Sequence, residues 1–322
     1  MVCIPALHNH PMILVAGSAS LDFVVRAQHI PVPGETVLGR EFKTFAGGKG
    51  ANQAVASARA GGVTTHMLLG LGSDRYAKVI RESLRSADVQ MHIVRVKDQP
   101  SGTAFICVSD SAENAITVAP GANLALRAKH WPSLSGVSHL LLQLETPLET
   151  VTAYARLARA QGIKVMLNAA PAQALPSELL GLVDLLIVNE GELTALTGTG
   201  GSIADRLRRL AVPGVVVTLG HRGCLAYSKE TLLLQIAFAV TPLDTTGAGD
   251  TFCGVLAAAL SQQQDLQQAL RRASAAAALA CTRMGAQSSI PERSEVDELL
   301  LRQAPDNPAR LAELRAFCGF SN

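Results

Sequence analysis

Asp250 closes the run Asp244-Thr245-Thr246-Gly247-Ala248-Gly249-Asp250, and the small and apolar residues after it, through Gly254-Val255-Leu256-Ala257, read as a helix. Gly247, Ala248 and Gly249 would open that helix. N–H groups at a helix start have no intrahelical partner, and small side chains let an anion come close to them. A carboxylate in the first turn beside such a nest suits phosphoryl transfer. The nest holds the charge that develops on the transferring group while the carboxylate takes a proton from the attacking hydroxyl. Plain capping of the helix dipole is the other reading of Asp250. A second cluster, Phe45-Ala46-Gly47-Gly48-Lys49-Gly50-Ala51-Asn52-Gln53-Ala54, also opens a helix, one ended by Gly61-Gly62. Its glycines let backbone approach a ligand, and Lys49 and Asn52 offer donors. A tight strand-to-helix turn has the same composition.

Other chemistries lose support. Gly48-Lys49 is followed by Gly50, so no Walker sequence is formed, and no G-x-G-x-x-G follows a strand. G-x-S-x-G and H-E-x-x-H are absent. The six cysteines, at 3, 107, 224, 253, 281 and 318, form no C-x-x-C and no zinc spacing. Cys107, Cys253 and Cys281 lie in apolar runs and read as buried thiols, which suits a reducing cytoplasm. His66, His92, His130 and His139 show no pairing spacing and read as structural.

The elements that must position these clusters come from the rest of the chain. With 322 residues, 48% of them hydrophobic and 17% charged, there is material for one large globular domain. A net charge of +2 and 4% aromatics point away from nucleic acid and from an anionic membrane surface. No apolar run is long enough to span a bilayer, and no Lys or Arg precedes Arg26, so a secretory signal is not expected. Buried strands are predicted at Met12–Ala16, His139–Leu144, Lys164–Leu167, Leu185–Val188 and Val215–Leu219. Helices are predicted at Ala51–Ala60, Val151–Gln161, Ile203–Leu210 and Gly249–Leu260. Their alternation predicts an α/β domain, a mostly parallel sheet covered on both faces. Phe23–Phe45 and Thr103–Val118 break the rhythm with alternating residues and turn signals, and predict a small second β-sheet built from hairpin-type pieces. Residues 1–11 read as an N-terminal extension, and 12–322 as a single domain.

The two glycine clusters together resemble the two signatures of the ribokinase (PfkB-type) family of carbohydrate kinases. The resemblance runs from about Met12 to Pro291. It is reinforced by Pro33-Gly34-Glu35-Thr36, Gln143-Leu144-Glu145 and Gly285-Ala286-Gln287-Ser288-Ser289. It implies a three-layer, Rossmann-like α/β domain with a β-sheet lid from segments of about 23–46 and 101–119, and a homodimer clasped through the lids. The implied reaction is ATP-dependent phosphorylation of D-ribose at its 5-hydroxyl, with 2-deoxyribose or another small sugar or nucleoside as the alternative substrate. On the same resemblance Asp250 is the base and Gly247, Ala248 and Gly249 form the anion hole. Ser20, Asp22, Gly48, Lys49, Asn52 and Glu145 hold the sugar, with Ser20 standing where the family often has Asn. Asn189 and Glu192 lie near Mg²⁺ and the phosphates. Thr218, Leu219, Gly220, His221, Arg222 and Gly223, with Ser274, surround the nucleotide. Asp244 and Ser289, with backbone oxygens of Thr246, Ala280, Arg283 and Gly285, enclose an activating K⁺ ion.

Overall fold

The computed structural model describes residues 11–111, 113–303 and 307–320. Apart from Pro11, the expected N-terminal extension lies outside the described residues, as does Cys3. In chain order the strands are β1 (Met12–Ala16), β2 (Ser20–Arg26), β3 (Glu41–Gly47), β4 (Thr64–Leu71), β5 (Gln90–Arg95), β6 (Gly102–Val108), β7 (Asn114–Ala119), β8 (Val137–Leu142), β9 (Lys164–Asn168), β10 (Leu185–Asn189), β11 (Gly214–Thr218), β12 (Gly223–Ser228) and β13 (Thr231–Ile236). The helices are α1 (Lys49–Arg59), α2 (Arg75–Ser86), α3 (Leu148–Ala160), α4 (Ser177–Leu182), α5 (Glu190–Thr197), α6 (Ile203–Leu207), α7 (Ala248–Ser261), α8 (Leu266–Ala280), α9 (Arg293–Arg302) and α10 (Pro308–Phe317).

Nine strands form the large sheet in the order β13-β12-β11-β10-β9-β8-β1-β4-β5. All neighbours from β11 to β5 pair parallel, and β12 and β13 add antiparallel at one edge. Strand β1 shows why the sheet is buried on both sides. Ile13 and Val15 belong to one core with Ala54 and Val55 of α1, Ile80 of α2, Leu256 of α7 and Leu270 of α8. Leu14 and Ala16 join the other with Tyr154 of α3, Leu179 of α4 and Leu193 of α5. A five-residue apolar run can serve two cores because successive strand side chains point to opposite faces. The expected three layers are therefore present.

The strand order also locates the functional end. From β1 the chain moves to β4 and β5 on one side, and later to β8 through β11 on the other. Where such an order reverses, the loops after the strands part and leave a crevice at their carboxyl ends. Ser18 follows β1 and Glu145 follows β8, so both stand at this reversal.

The second sheet has the order β3-β2-β6-β7. β2–β3 and β6–β7 are antiparallel pairs, as expected of hairpin-type pieces, but β2 and β6 join them in parallel. Both strands leave the carboxyl end of a large-sheet strand, β1 or β5, and so run the same way. Ser20, Asp22, Ala104, Ile106, Ile116 and Val118 face the crevice. On the opposite face Phe23 stacks on Phe105 and Phe42, and meets Tyr76 of α2 edge-on at 5.5 Å.

Some expectations are corrected. The strand expected at His139–Leu144 runs from Val137 to Leu142; Gln143 and Leu144 after it stay buried, and Glu145 reaches the crevice. The helix expected to Leu210 stops at Leu207, because the chain turns there towards β11. His66 and His92 do pair: they sit on neighbouring parallel strands with Nδ1 and Nε2 2.8 Å apart, a contact that no local spacing reveals. Cys253 is buried as expected, but Cys107 and Cys281 are only half-buried, and Cys224 and Cys318 are buried instead. The described cysteines form no disulfide. No helix among the described residues is long and apolar enough to cross a membrane.

Candidate active site

The end of β1 and the start of α1 approach each other at backbone distance. Gly48, the N-cap of α1, has φ of 89°, and a Cβ there would stand 2.7 Å from the Ala19 Cα. A Cβ on Gly50 would stand 2.7 Å from the Ser18 nitrogen. Only glycine allows this, so Gly48 and Gly50 serve a strand–helix contact, while Gly47 leaves room for the Asp22 carboxylate. The contact brings Lys49 and Asn52 over the crevice.

Glu145 closes the crevice from β8. Its Oε2 accepts from Ser18 Oγ at 2.5 Å and from the Lys49 N–H at 3.0 Å. Asp22, on β2, accepts from Ser20 Oγ at 2.7 Å. Burial pushes the Asp22 carboxyl up to about 6; the Ser20 hydroxyl opposes this, and the negative charges of Glu145 and Asp250 add to it. The resulting cleft, about 270 Å³, is lined by Ser20, Asp22, Gly48, Lys49, Asn52, Glu145, Gly247 and Asp250, with Ala104, Ile106, Ile116 and Val118 from the small sheet opposite. It is polar on one wall and apolar on the other. Asn52 Oδ1 is buried in it with no hydrogen-bond partner among the described residues.

Asp250 stands in the first turn of α7, whose N-cap Gly247 takes the left-handed conformation at φ 73°. Both carboxylate oxygens are fixed by α1: Asn52 Nδ2 donates to Oδ2 at 2.9 Å and Gln53 Nε2 to Oδ1 at 2.9 Å. An ionised carboxylate only accepts, so the Gln53 amide must turn its NH₂ towards Asp250. That NH₂ also reaches Asn168 Oδ1 at 3.0 Å, and the Gln53 Oε1 accepts from Gln143 Nε2 at 2.6 Å. Gln53 and Gln143 are fully buried. One carboxylate thus sets the orientation of amides reaching back to β8 and β9.

A second cleft, about 140 Å³, lies on the other side of Asp250. Lys49, Asn168, Asn189, Glu192, Thr218, Gly247, Gly249 and Cys253 line it. Lys49, Gly247 and Asp250 line both clefts. The Lys49 ammonium is held above its usual range by Asp250 first; burial works against this, and Glu145 and Glu192 reinforce it. Asn189 and Glu192 cap α5 reciprocally, each side chain accepting from the other's backbone N–H at 2.8 Å. Burial raises the Glu192 carboxyl, against the pull of that hydrogen bond and of Lys49.

The other expected residues divide. Ala248 lines neither cleft, and its N–H reaches Thr245 O at 3.3 Å. Thr218 lines the second cleft, but Leu219 is buried in the core. The turn of Gly220, His221 and Arg222, and Gly223 after it, lie outside both clefts, with the Arg222 guanidinium 4.3 Å above the Phe317 ring. Ser274 is buried on α8, its Oγ 3.6 Å from Cys224 Sγ. Asp244 links two loops: it accepts from the Thr246 N–H and the Gly285 N–H, each at 2.9 Å. Burial would raise its carboxyl, but the Thr246 side chain, and after it those two backbone N–H groups, hold it below the usual carboxylate range. Ser289 Oγ donates to Ala286 O, and the Arg283 side chain turns away to Glu295. Ser18, Gln53 and the four apolar residues of the small sheet were not expected. Gln53 lies inside a quoted motif, but its neighbour Asn52 has the same chemistry and only packing separates their roles.

The comparisons with known proteins agree with this geometry. The model of the pfkB family carbohydrate kinases matches residues 10–293. The ribokinase of Haemophilus influenzae is 38% identical over 300 residues, which span 89% of this chain and 97% of that protein. The crystal structure of ribokinase from Thermotoga maritima superposes with a TM-score of 0.83 at 36% identity, covering 91% of this chain and all of that one. The structure of Arabidopsis thaliana ribokinase complexed with ribose and ATP superposes with a TM-score of 0.81 at 32% identity, covering 92% of this chain and 99% of that one. Two clefts that meet at a buried carboxylate, on a fold shared over nine-tenths of the chain, place this protein in the pfkB family of carbohydrate kinases.

Proposed function

We propose that the chain transfers the γ-phosphoryl group of ATP to the 5-hydroxyl of D-ribose. The observation that carries this reading is the meeting of a hydroxyl-binding cleft and a second cleft at Lys49, Gly247 and Asp250. A sugar in the first cleft and a triphosphate in the second would bring acceptor and donor together at one carboxylate. The ribose and ATP of the Arabidopsis relative support the choice of both ligands.

In this reading Asp22, Glu145, Lys49 and Asn52 bind the sugar hydroxyls, and the partnerless Asn52 Oδ1 accepts from one of them. Ser20 acts by holding Asp22. Ala104, Ile106, Ile116 and Val118 cover the sugar and exclude water, which makes the small sheet a lid. Asp250 takes the proton from the 5-hydroxyl, while Lys49 and the N–H groups at Gly247 and Gly249 receive the phosphoryl charge. The nucleotide runs past Asn189 and Thr218 towards the turn at Gly220 to Gly223 and Ser274.

Among the described residues no three His, Cys, Asp or Glu side chains gather as a metal cage. That fits Mg²⁺ held by nucleotide phosphates with Glu192 and Asn189 nearby, since this ion binds through few carboxylates and substrate oxygens. Bound Mg²⁺ would offset phosphate charge. The oxygen-rich loops joined by Asp244 fit K⁺, with Ser289 and carbonyl oxygens of Thr246, Ala280, Arg283 and Gly285 as the holders. Bound there, K⁺ would act structurally, fixing the loop that leads to Gly247. The half-exposed Phe42 and Phe105 on the outer face of the lid support a homodimer through that sheet.

The reading is tested by ADP release over a panel of sugars, with potassium or only sodium present. D-Ribose is expected to give the highest kcat/KM, with higher activity in potassium. 2-Deoxyribose is expected to fall behind by roughly 10- to 150-fold, the value of a lost hydrogen bond to a charged group such as Asp22. A ratio near one, or one favouring deoxyribose, contradicts the ribose assignment. Asp250→Asn should fold and bind sugar yet lose ~10²–10⁴ in kcat, and retention of a tenth of wild-type turnover would remove Asp250 as the base. Sugar binding should also depend on pH through Asp22. Its carboxyl is raised to about 6, so the sugar KM should rise as the pH falls through that value while the ATP KM does not follow. A flat sugar KM between pH 7 and pH 5 would contradict the role of Asp22.

A further inference from the structure

Three chain segments pass between the large sheet and the small one at the same place. They are residues 17–19 ahead of β2, 100–101 ahead of β6, and 120–123 after β7. A single buried side chain ties the first to the third. Asn123 Nδ2 donates to Ala19 O at 2.9 Å, and Asn123 Oδ1 accepts from the Ala19 N–H at 3.0 Å. This two-point contact resembles the pairing of a neighbouring strand, supplied by a side-chain amide at the point where β1 has left its own sheet. The Ala122 N–H donates to Pro100 O at 2.8 Å and so ties the third segment to the second. Gly102 makes room for the clamp: a Cβ there would stand 2.4 Å from Asn123 Nδ2 and 2.6 Å from Ala19 O.

The clamped residue lies between two that matter. Ser18 holds Glu145 and Ser20 holds Asp22, so the orientation of both carboxylates is referred to the Ala19 backbone. Gly48 packs on the other side of Ala19, which leaves that backbone gripped from two sides. Asn123 borders the first cleft with its amide bonded to Ala19, and neither residue lines the second.

We propose that Asn123 is a positioning residue for the sugar: through Ala19 it fixes Ser18 and Ser20, and with them the two carboxylates of the sugar cleft. Because Asn123 follows the last strand of the small sheet, the same clamp sets how that sheet sits over the sugar. The proposal rests on the sugar-kinase reading given above, and it predicts an asymmetry between the two substrates. A loosened clamp should blur the sugar cleft and leave the nucleotide cleft as it is.

The test uses the full-length protein with Asn123→Ala and Asn123→Asp. The aspartate keeps the shape but sets an oxygen against Ala19 O, and that repulsion forces the carboxylate off the Ala19 backbone and away from its N–H. In both variants the sugar KM should rise about tenfold or more, with the ATP KM within about twofold of wild type and kcat changed less than the sugar KM. Unchanged sugar KM in folded protein, or equal rises in both KM values, would overturn the proposal. The kinetics are run with ribose and, if wild type does not phosphorylate ribose, with whichever sugar it phosphorylates fastest. Inactivity on ribose counts against the function reading, while the asymmetry tests the clamp on either sugar. Hydrogen exchange gives an arm independent of turnover and of the other variant's folding. The Ala19 amide should be protected in wild type and exchange at least about tenfold faster in whichever variant folds, with amides of β10 and β11 unchanged. Equal protection at Ala19, or general loss of protection, would overturn it.

Discussion

A carboxylate buried among packed elements must find donors for its oxygens or lose its charge. Asp250 meets this demand with two amides from α1, and much of the surrounding arrangement follows. The Gln53 amide is oriented by Asp250, and Gln143 must in turn present its own NH₂ to Gln53. The oxygens of Asp250 keep lone pairs for the cleft, where an attacking hydroxyl would lie. Lys49, a few residues along the same helix, supplies compensating positive charge without taking either of those contacts. The geometry at Asp250 is therefore a property of the α1–α7 packing as much as of the residues that line the clefts.

Close backbone approach is the second requirement, and it explains where the glycines fall. At Gly48 and Gly50 the start of α1 leans on the end of β1, and any side chain would push them apart. That contact lets two short stretches, at Ser18 and from Gly48 to Asn52, present a hydroxyl, an ammonium and an amide to one cleft. The reversal of strand order between β1 and β8 supplies the opening, and Glu145 closes it from the far side. The small sheet grows out of the same strand ends, so its position over the cleft follows from the topology of the large one.

The layered fold was legible in the sequence because β1, β9, β10 and β11 are short apolar runs, which only burial on both faces explains. Strands β4, β5, β12 and β13 were not singled out; β5 mixes polar residues among apolar ones because it is an edge strand whose residues are at most half-buried. Asp250 and the Gly48–Asn52 cluster were visible as residues at helix starts, and the resemblance to the carbohydrate kinases gave them roles. Gln53 was not assigned, since nothing in the sequence says which of two adjacent amides turns inward and which faces the cleft. Leu219 is the opposite case: it falls inside a matched motif, yet its side chain packs into the core. The pairing of His66 with His92 was invisible because it depends on strand register.

Two buried amides hold the Asp250 carboxylate in one orientation, and the proposed proton transfer depends on it. Steady-state kinetics of Gln53→Met test it most directly, because methionine nearly matches the volume of glutamine and donates no hydrogen bond. The expected variant is a folded enzyme whose kcat falls about tenfold or more while the KM values for sugar and ATP stay within about twofold, as a misplaced base would give. A folded variant with wild-type kcat, or one whose loss lies wholly in KM, would contradict it.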